Sequence, residues 1–188
     1  MAERVRVLLI SGSVRARSTN SAVLRTAAAL ATAAGIDAVR YEGLAALPAF
    51  DPDADVAPRP APVRELLDRI HRADAIVFST PEYAGALPGA FKNLLDWLIG
   101  DNDPRSVYNK PVAWINASPR GAALAHDSLR AVLGYAHADI VQAVCVNIPV
   151  TPGSVDLDGL IDDPAIRDAI EAALHALAAH VTAPHSNQ

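Results

Sequence analysis

Three short segments of this 188-residue chain hold residues suited to gripping a small polar ligand. The first runs Ser11-Gly12-Ser13-Val14-Arg15-Ala16-Arg17-Ser18 and leads into Thr19-Asn20-Ser21. Serine hydroxyls donate hydrogen bonds, and Arg15 or Arg17 can supply positive charge. A helix starting near Thr19 would add unpaired N–H groups at the positive end of its dipole. Together these make a receptor for a phosphate. The loop lacks the Gly-Lys-Ser/Thr triplet of a Walker motif. Gly12 alone does not make G-x-G-x-x-G, and the next strand ends at Tyr41-Glu42 without a convincing ribose-binding acid. Hydroxyls in place of glycines suit a terminal monophosphate, as on FMN. The plain alternative is an ordinary βα loop with solvated arginines.

The second segment is Thr80-Pro81-Glu82-Tyr83-Ala84-Gly85-Ala86-Leu87-Pro88. Pro81 stiffens the exit from a strand, Gly85 lets backbone approach a flat ligand, and Pro88 suits the first turn of a helix. Tyr83 reads equally as a ring-stacking aromatic or as ordinary packing area. Glu82 fits a capping or bracing role, while Lys92, Asn93 and Asp96 fit helix fixing better than chemistry. In the third segment, Asn116-Ala117-Ser118-Pro119-Arg120-Gly121, backbone N–H groups could meet the pyrimidine edge of a flavin. Arg120 could stabilise charge that develops there, although a surface arginine touching no ligand is the more ordinary reading.

These segments need a frame that brings them together. Five of the six residues Val5–Ile10 are apolar, as a strand buried on both faces requires. Further strands are expected at Ile36–Tyr41, Ala75–Ser79, Pro111–Asn116 and Ile140–Val146. Helical spacing marks Ser21–Ala34, the stretches around Val63–Ile70, Phe91–Leu98 and Leu129–Ala136, and a last helix carrying Ile166 through Val181. Alternation of strand and helix implies an α/β doubly wound parallel sheet of five strands with helices on both faces. Ligands bind such sheets beyond the carboxyl ends of the strands, where all three segments fall. Residues 43–62 hold five prolines and form a long connection of the kind that is usually functional or mobile. One domain over 1–182 with a frayed tail at 183–188 is expected.

Composition removes several functions. A formal net charge of -5 argues against general affinity for nucleic acid or an anionic membrane, and no apolar run is long enough to span one. The start of the chain does not read as a secretory signal, so a cytoplasmic location is the default expectation. Cys145 is the single cysteine and sits in an apolar stretch, as a core residue rather than a nucleophile. The six histidines are scattered, which leaves no metal site. His126-Asp127-Ser128 has triad letters, but neighbours on a helix point apart. No acid–base or nucleophile set emerges, so any chemistry would be carried by a cofactor.

The loops in combination resemble the NAD(P)H-dependent FMN reductases of the flavodoxin-like superfamily, a group that includes quinone, azo-dye and chromate reductases. The resemblance spans roughly residues 4–180. It rests on Gly12-Ser13-Val14-Arg15-Ala16-Arg17-Ser18-Thr19-Asn20, on Pro81-Glu82-Tyr83-Ala84-Gly85 running through Pro88 to Trp97, and more weakly on Leu47-Pro48 with Asp51-Pro52-Asp53. It implies a flavodoxin-like strand order of 2-1-3-4-5. It also implies that Ser13, Arg15, Ser18, Asn20 and Ser21 hold the FMN phosphate, and that Pro81, Glu82, Tyr83, Ala84 and Gly85 lie along the ribityl chain and ring. Ser118, Arg120 and Gly121 would approach the ring from its far side. Ala84 departs from the family's frequent asparagine, and Arg120-Gly121 from its frequent glycine pair. The resemblance further implies FMN as cofactor, NADPH or NADH as co-substrate, and ping-pong passage of a hydride through FMN to quinone-type or other small electrophilic acceptors. A homodimer or homotetramer is implied, with the Trp97-Leu98 helix end near the interface. A flavodoxin-like electron carrier and a non-enzymatic nucleotide- or anion-binding protein are the competing readings.

Overall fold

A computed structural model describes residues 4–15 and 17–183. The strands are β1 (Arg6–Ser11), β2 (Asp37–Tyr41), β3 (Ala75–Ser79), β4 (Pro111–Asn116) and two short pieces, β5 (Asp139–Ile140) and β6 (Val146–Asn147). The helices are α1 (Thr19–Ala31), α2 (Ala61–Arg72), α3 (Gly89–Ile99), α4 (Ala123–Tyr135) and α5 (Pro164–Thr182). All pairings are parallel, in the order β2-β1-β3-β4-β5, with β6 also paired to β4. The expected 2-1-3-4-5 order is therefore present.

Strand periodicity sorts the core into two layers. Leu8, Ile10, Ile76, Phe78, Val112 and Trp114 face α2, α3 and α4. Val7, Leu9, Val77, Ala113 and Ile115 face α1 and α5. Both faces of the central strands are covered, which is why those strands read as continuous apolar runs.

The fifth strand position differs from the expected unbroken Ile140–Val146. A turn of 3-10 helix at Gln142–Val144 splits it. Val141 and Val144 are both buried in the α1/α5 layer. Residues three apart would point to opposite faces of a strand, and the turn places both on one side. Cys145, expected inside that strand, instead follows the turn, half-buried, with its thiol directed at the Val141 carbonyl. Burial pushes the thiol pKa up, so it stays protonated.

The proline-rich connection is fastened down. The Pro48 carbonyl accepts from Asn93 Nδ2 at 2.8 Å and from Trp97 Nε1 at 3.0 Å, while Phe50 N–H donates to Asn93 Oδ1 at 2.7 Å. Phe50 meets Trp97 edge-on, with centroids 5.0 Å apart. Trp97 and Leu98 are buried within the chain, so Trp97 serves this anchor and is not free for an interface. Lys92 pairs with Asp96 along the same helix at 2.5 Å. Of the expected tail, only Ala183 lies within the described residues. No helix among the described residues is long and apolar enough to cross a membrane.

Candidate active site

The loops leaving β1, β3 and β4 enclose a cleft of about 660 Å³ at the carboxyl end of the sheet. That lies within the 300–1,000 Å³ usual for small-ligand sites. Its walls include Ser13, Arg15, Arg17, Ser18 and Asn20 from the first loop and helix, Pro81, Glu82 and Tyr83 from the second, and Ser118 and Arg120 from the third. Val150 and Pro152 close one side.

The first loop is shaped by its own hydroxyls. Gly12 N–H donates to the Ser79 carbonyl at 2.8 Å, which continues the β1–β3 ladder one residue further. Ser11 Oγ accepts from Ser13 N–H at 3.2 Å, and Ser13 Oγ accepts from Arg15 N–H at 3.3 Å. Gly12 is required by space: a Cβ there would lie 2.4 Å from Thr80 Oγ1 and 2.9 Å from Phe91 Cδ1. At the start of α1, Ser18 has extended backbone angles, is only 7% exposed, and makes no side-chain cap bond. The first turn carries no acidic residue. A helix start of this kind leaves its leading N–H groups for an outside anion. Arg15 and Arg17 are exposed at its rim, whereas Ala16 lies outside the described residues.

Asn20 is held from beneath. The Ser79 hydroxyl sits 3.0 Å from Asn20 Oδ1 and 2.7 Å from the Ile115 carbonyl. Ser21 is placed differently from its neighbours: its hydroxyl lies 3.0 Å from Ser11 Oγ, and it lines a second cleft on the other side of the loop, beside Arg25 and Arg40.

The second loop folds into a two-residue hairpin, with Tyr83 and Ala86 exchanging N–H···O bonds at 3.0 Å each way. Ala84 and Gly85 both have positive φ, 51° and 73°, as the mirror-image turn between paired strands requires. Neither is among the residues lining the cleft, and Tyr83 stands half-open at the rim. The third loop is braced from inside by Asn116, whose Oδ1 accepts from Ser118 N–H at 3.0 Å while its Nδ2 donates to the Gly121 carbonyl. Gly121 serves as a left-handed turn residue at φ 90°. The sequence alone assigns no site role to Ser79 or Asn116. Their signal is a polar residue closing an otherwise apolar strand.

Electrostatically the lining is positive. Arg15, Arg17 and Arg120 contribute three guanidinium groups, and Glu82 is the one carboxylate among the described lining residues. His126 is 8% exposed, and its Nδ1 lies 2.8 Å from the Ala122 carbonyl it donates to. Burial pulls its pKa down, so it packs neutral against Trp114. Asp127 is exposed, which excludes the triad reading. Among the described residues no group of histidine, cysteine and carboxylate side chains could hold a metal ion.

The family model described as NADPH-dependent FMN reductase matches residues 5–152. The chain belongs to this family. It is similar to an NAD(P)H-dependent FMN reductase of Pseudomonas aeruginosa, 31% identical over 180 residues, covering 94% of this chain and 95% of that protein. A quinone reductase of Escherichia coli is 32% identical over 158 residues, covering 82% of this chain and 80% of that one. Among solved structures, FerB from Paracoccus denitrificans, a flavoenzyme NAD(P)H:(acceptor) oxidoreductase, superposes with a TM-score of 0.75 at 26% identity. That match covers 94% of this chain and 97% of the other. Membership makes the chain an oxidoreductase of a class that uses FMN and NAD(P)H.

Proposed function

We propose that the protein transfers reducing equivalents from NAD(P)H, through FMN held in this cleft, to a quinone-type or other small electrophilic acceptor, in ping-pong fashion. The observation that carries the reading is the open start of α1: a buried Ser18 without a cap bond and no acidic residue in the first turn. An acidic side chain would compete with a bound phosphate at that place. When bound, FMN supplies the two-electron chemistry, taking a hydride from the pyridine nucleotide and passing electrons to the second substrate.

The residues then divide the work. Ser13, Ser18, Asn20 and the α1 N–H groups hold the phosphate, with Arg15 adding charge from the rim. Ser21, turned toward Ser11, braces that loop from behind. Pro81, Tyr83 and the 118–121 loop flank the ring, and the Ala84–Gly85 turn shapes Tyr83's approach. Arg120 lies on the third wall, where its guanidinium would supply positive charge to a bound flavin. His126 is buried and neutral, and Cys145 is a protonated thiol away from the cleft lining, so neither acts as the proton carrier. In this reading pyridine nucleotide and acceptor use the same cleft in turn, which is the ping-pong order. We also propose a homodimer or homotetramer, whose contact would use the exposed Tyr135 and Ile99 beside α3 and α4 in place of Trp97.

The test is anaerobic mixing of FMN-loaded protein with NADPH or NADH. Rapid loss of flavin absorbance, restored by a quinone, is the expected result. Flavin that stays oxidised would favour the electron-carrier reading, and a protein that takes up no FMN would favour a different phosphorylated ligand.

A further inference from the structure

The helix that follows the third loop begins without any capping side chain of its own. Ala122 occupies the cap position of α4 in a left-handed conformation, φ 48°, and offers no oxygen. The group that meets this helix start comes from 43 residues earlier: Glu82 Oε2 accepts from Ala125 N–H at 3.1 Å. A carboxylate at that place satisfies an orphan donor and opposes the positive end of the helix. A second contact joins the same two elements. The tip of the hairpin lies against the first turn of α4, close enough that a Cβ on Gly85 would sit 3.4 Å from Leu124 Cδ1. On the cleft side of the same start, Asn116 pins both ends of the Ser118–Gly121 turn.

We infer that Glu82 is a positioning residue, and that its carboxylate locks the second loop to α4 and so sets the gap between the two loops that flank the ring. The inference rests on the flavin reading of the cleft for its consequence, though not for the lock itself. Pro81 and Tyr83 sit on either side of Glu82 in the chain, so freeing the carboxylate frees both of them. The third loop is rigid through Asn116, which makes the Glu82 bond the adjustable part of the gap. Phosphate binding at α1 depends on other residues and does not sense this bond.

Two variants of the full-length protein separate this role from alternatives. Glu82→Gln keeps a carbonyl oxygen able to accept from Ala125 N–H, whereas Glu82→Ala does not. Amide exchange measured by NMR should show Ala125 N–H losing protection in Glu82→Ala by roughly tenfold, the worth of one cap, and staying near wild type in Glu82→Gln. Titrations with FMN and with riboflavin should weaken by a similar factor in Glu82→Ala, because the ring gap serves both. Glu82→Gln should lose little with either. Unchanged protection of Ala125 in Glu82→Ala would overturn the lock. A Glu82→Gln loss as large as that of Glu82→Ala, or an affinity loss confined to FMN, would overturn the positioning role. Lost protection in a chain that binds neither flavin would keep the lock and refute the cofactor reading instead.

Discussion

Replacing Gly12 with alanine tests whether the floor of the first loop is as tight as its geometry implies. The added Cβ would lie 2.4 Å from Thr80 Oγ1, 2.7 Å from Thr80 Cβ and 2.9 Å from Phe91 Cδ1. Ordinary carbon contacts are 3.5–4.0 Å, so the loop or its neighbours must shift by roughly an ångström. Thr80 and Phe91 are both fully buried and cannot swing into solvent. Overpacking of this kind costs about 1–3 kcal/mol, and three contacts at once place Gly12→Ala near the upper end. For a chain of this size, about 2–3 kcal/mol lowers the melting temperature by roughly 4–12 °C. The shift would also pull Gly12 N–H from the Ser79 carbonyl and displace Ser13, so FMN retention should fall along with stability. Urea unfolding followed by flavin content after gel filtration measures both. Adding Thr80→Ala removes Oγ1 but leaves the Cβ contact, so it should restore part of the loss. A Gly12→Ala protein with wild-type stability and flavin content would show that the packing argument is wrong.

Other expectations are equally open to measurement. Ala84 holds a left-handed turn position that asparagine tolerates better, so Ala84→Asn should raise stability by about 0.5–1 kcal/mol. A lower melting temperature by scanning calorimetry would contradict the turn assignment. His126 has a folded pKa below its unfolded value of about 6.5, so the unfolded chain binds the proton first. Stability is then complete above about pH 6.5 and declines as pH falls below it, by at most about 1.4 kcal/mol per pH unit from this group. His126→Asn should flatten that acid limb in urea titrations at pH 5 and 7, and an unaltered slope would remove His126 as the cause. Trp97→Phe loses the bond to Pro48 and part of a buried ring, at about 2 kcal/mol. Limited proteolysis should then cut within residues 43–60 faster than in wild type, and an unchanged rate would show that Asn93 alone holds the segment.

The central fold was legible because it is written in local patterns. Strands such as Ala75–Ser79 are buried on both faces and read as uninterrupted apolar runs, and the alternation with helices leaves few topologies. The broken strand around Cys145 was hidden because its cause is tertiary: Val141 and Val144 share one layer only once α5 is in place. The fastened proline-rich segment was equally obscure, since Asn93 and Trp97 reach Pro48 across more than forty residues. In the site, residue types announced the loops. The hydroxyl and arginine content of residues 11–18 pointed to the face of the sheet where the cleft lies. Which side a hydroxyl would face was beyond reach: Ser13 and Ser18 line the cleft, while Ser21 turns to Ser11. A helix turn carries such neighbours around its axis, and only the packed helix decides which of them meets the cleft. Glu82 as a cap for α4 was foreshadowed by its type, but its partner Ala125 has no side chain that could announce the bond.

In the proposed site, the open start of α1 and the serine- and arginine-bearing loop before it receive the terminal phosphate of FMN. Calorimetric titration of the flavin-free protein with FMN and with riboflavin measures this directly, because the two ligands differ only in that group. A single helix terminus is worth up to about 2 kcal/mol and each charge-assisted bond roughly 1.5–3 kcal/mol. FMN should therefore bind at least tenfold more tightly than riboflavin, and Arg15→Ala should narrow the difference. Equal affinities for the two flavins would contradict the account.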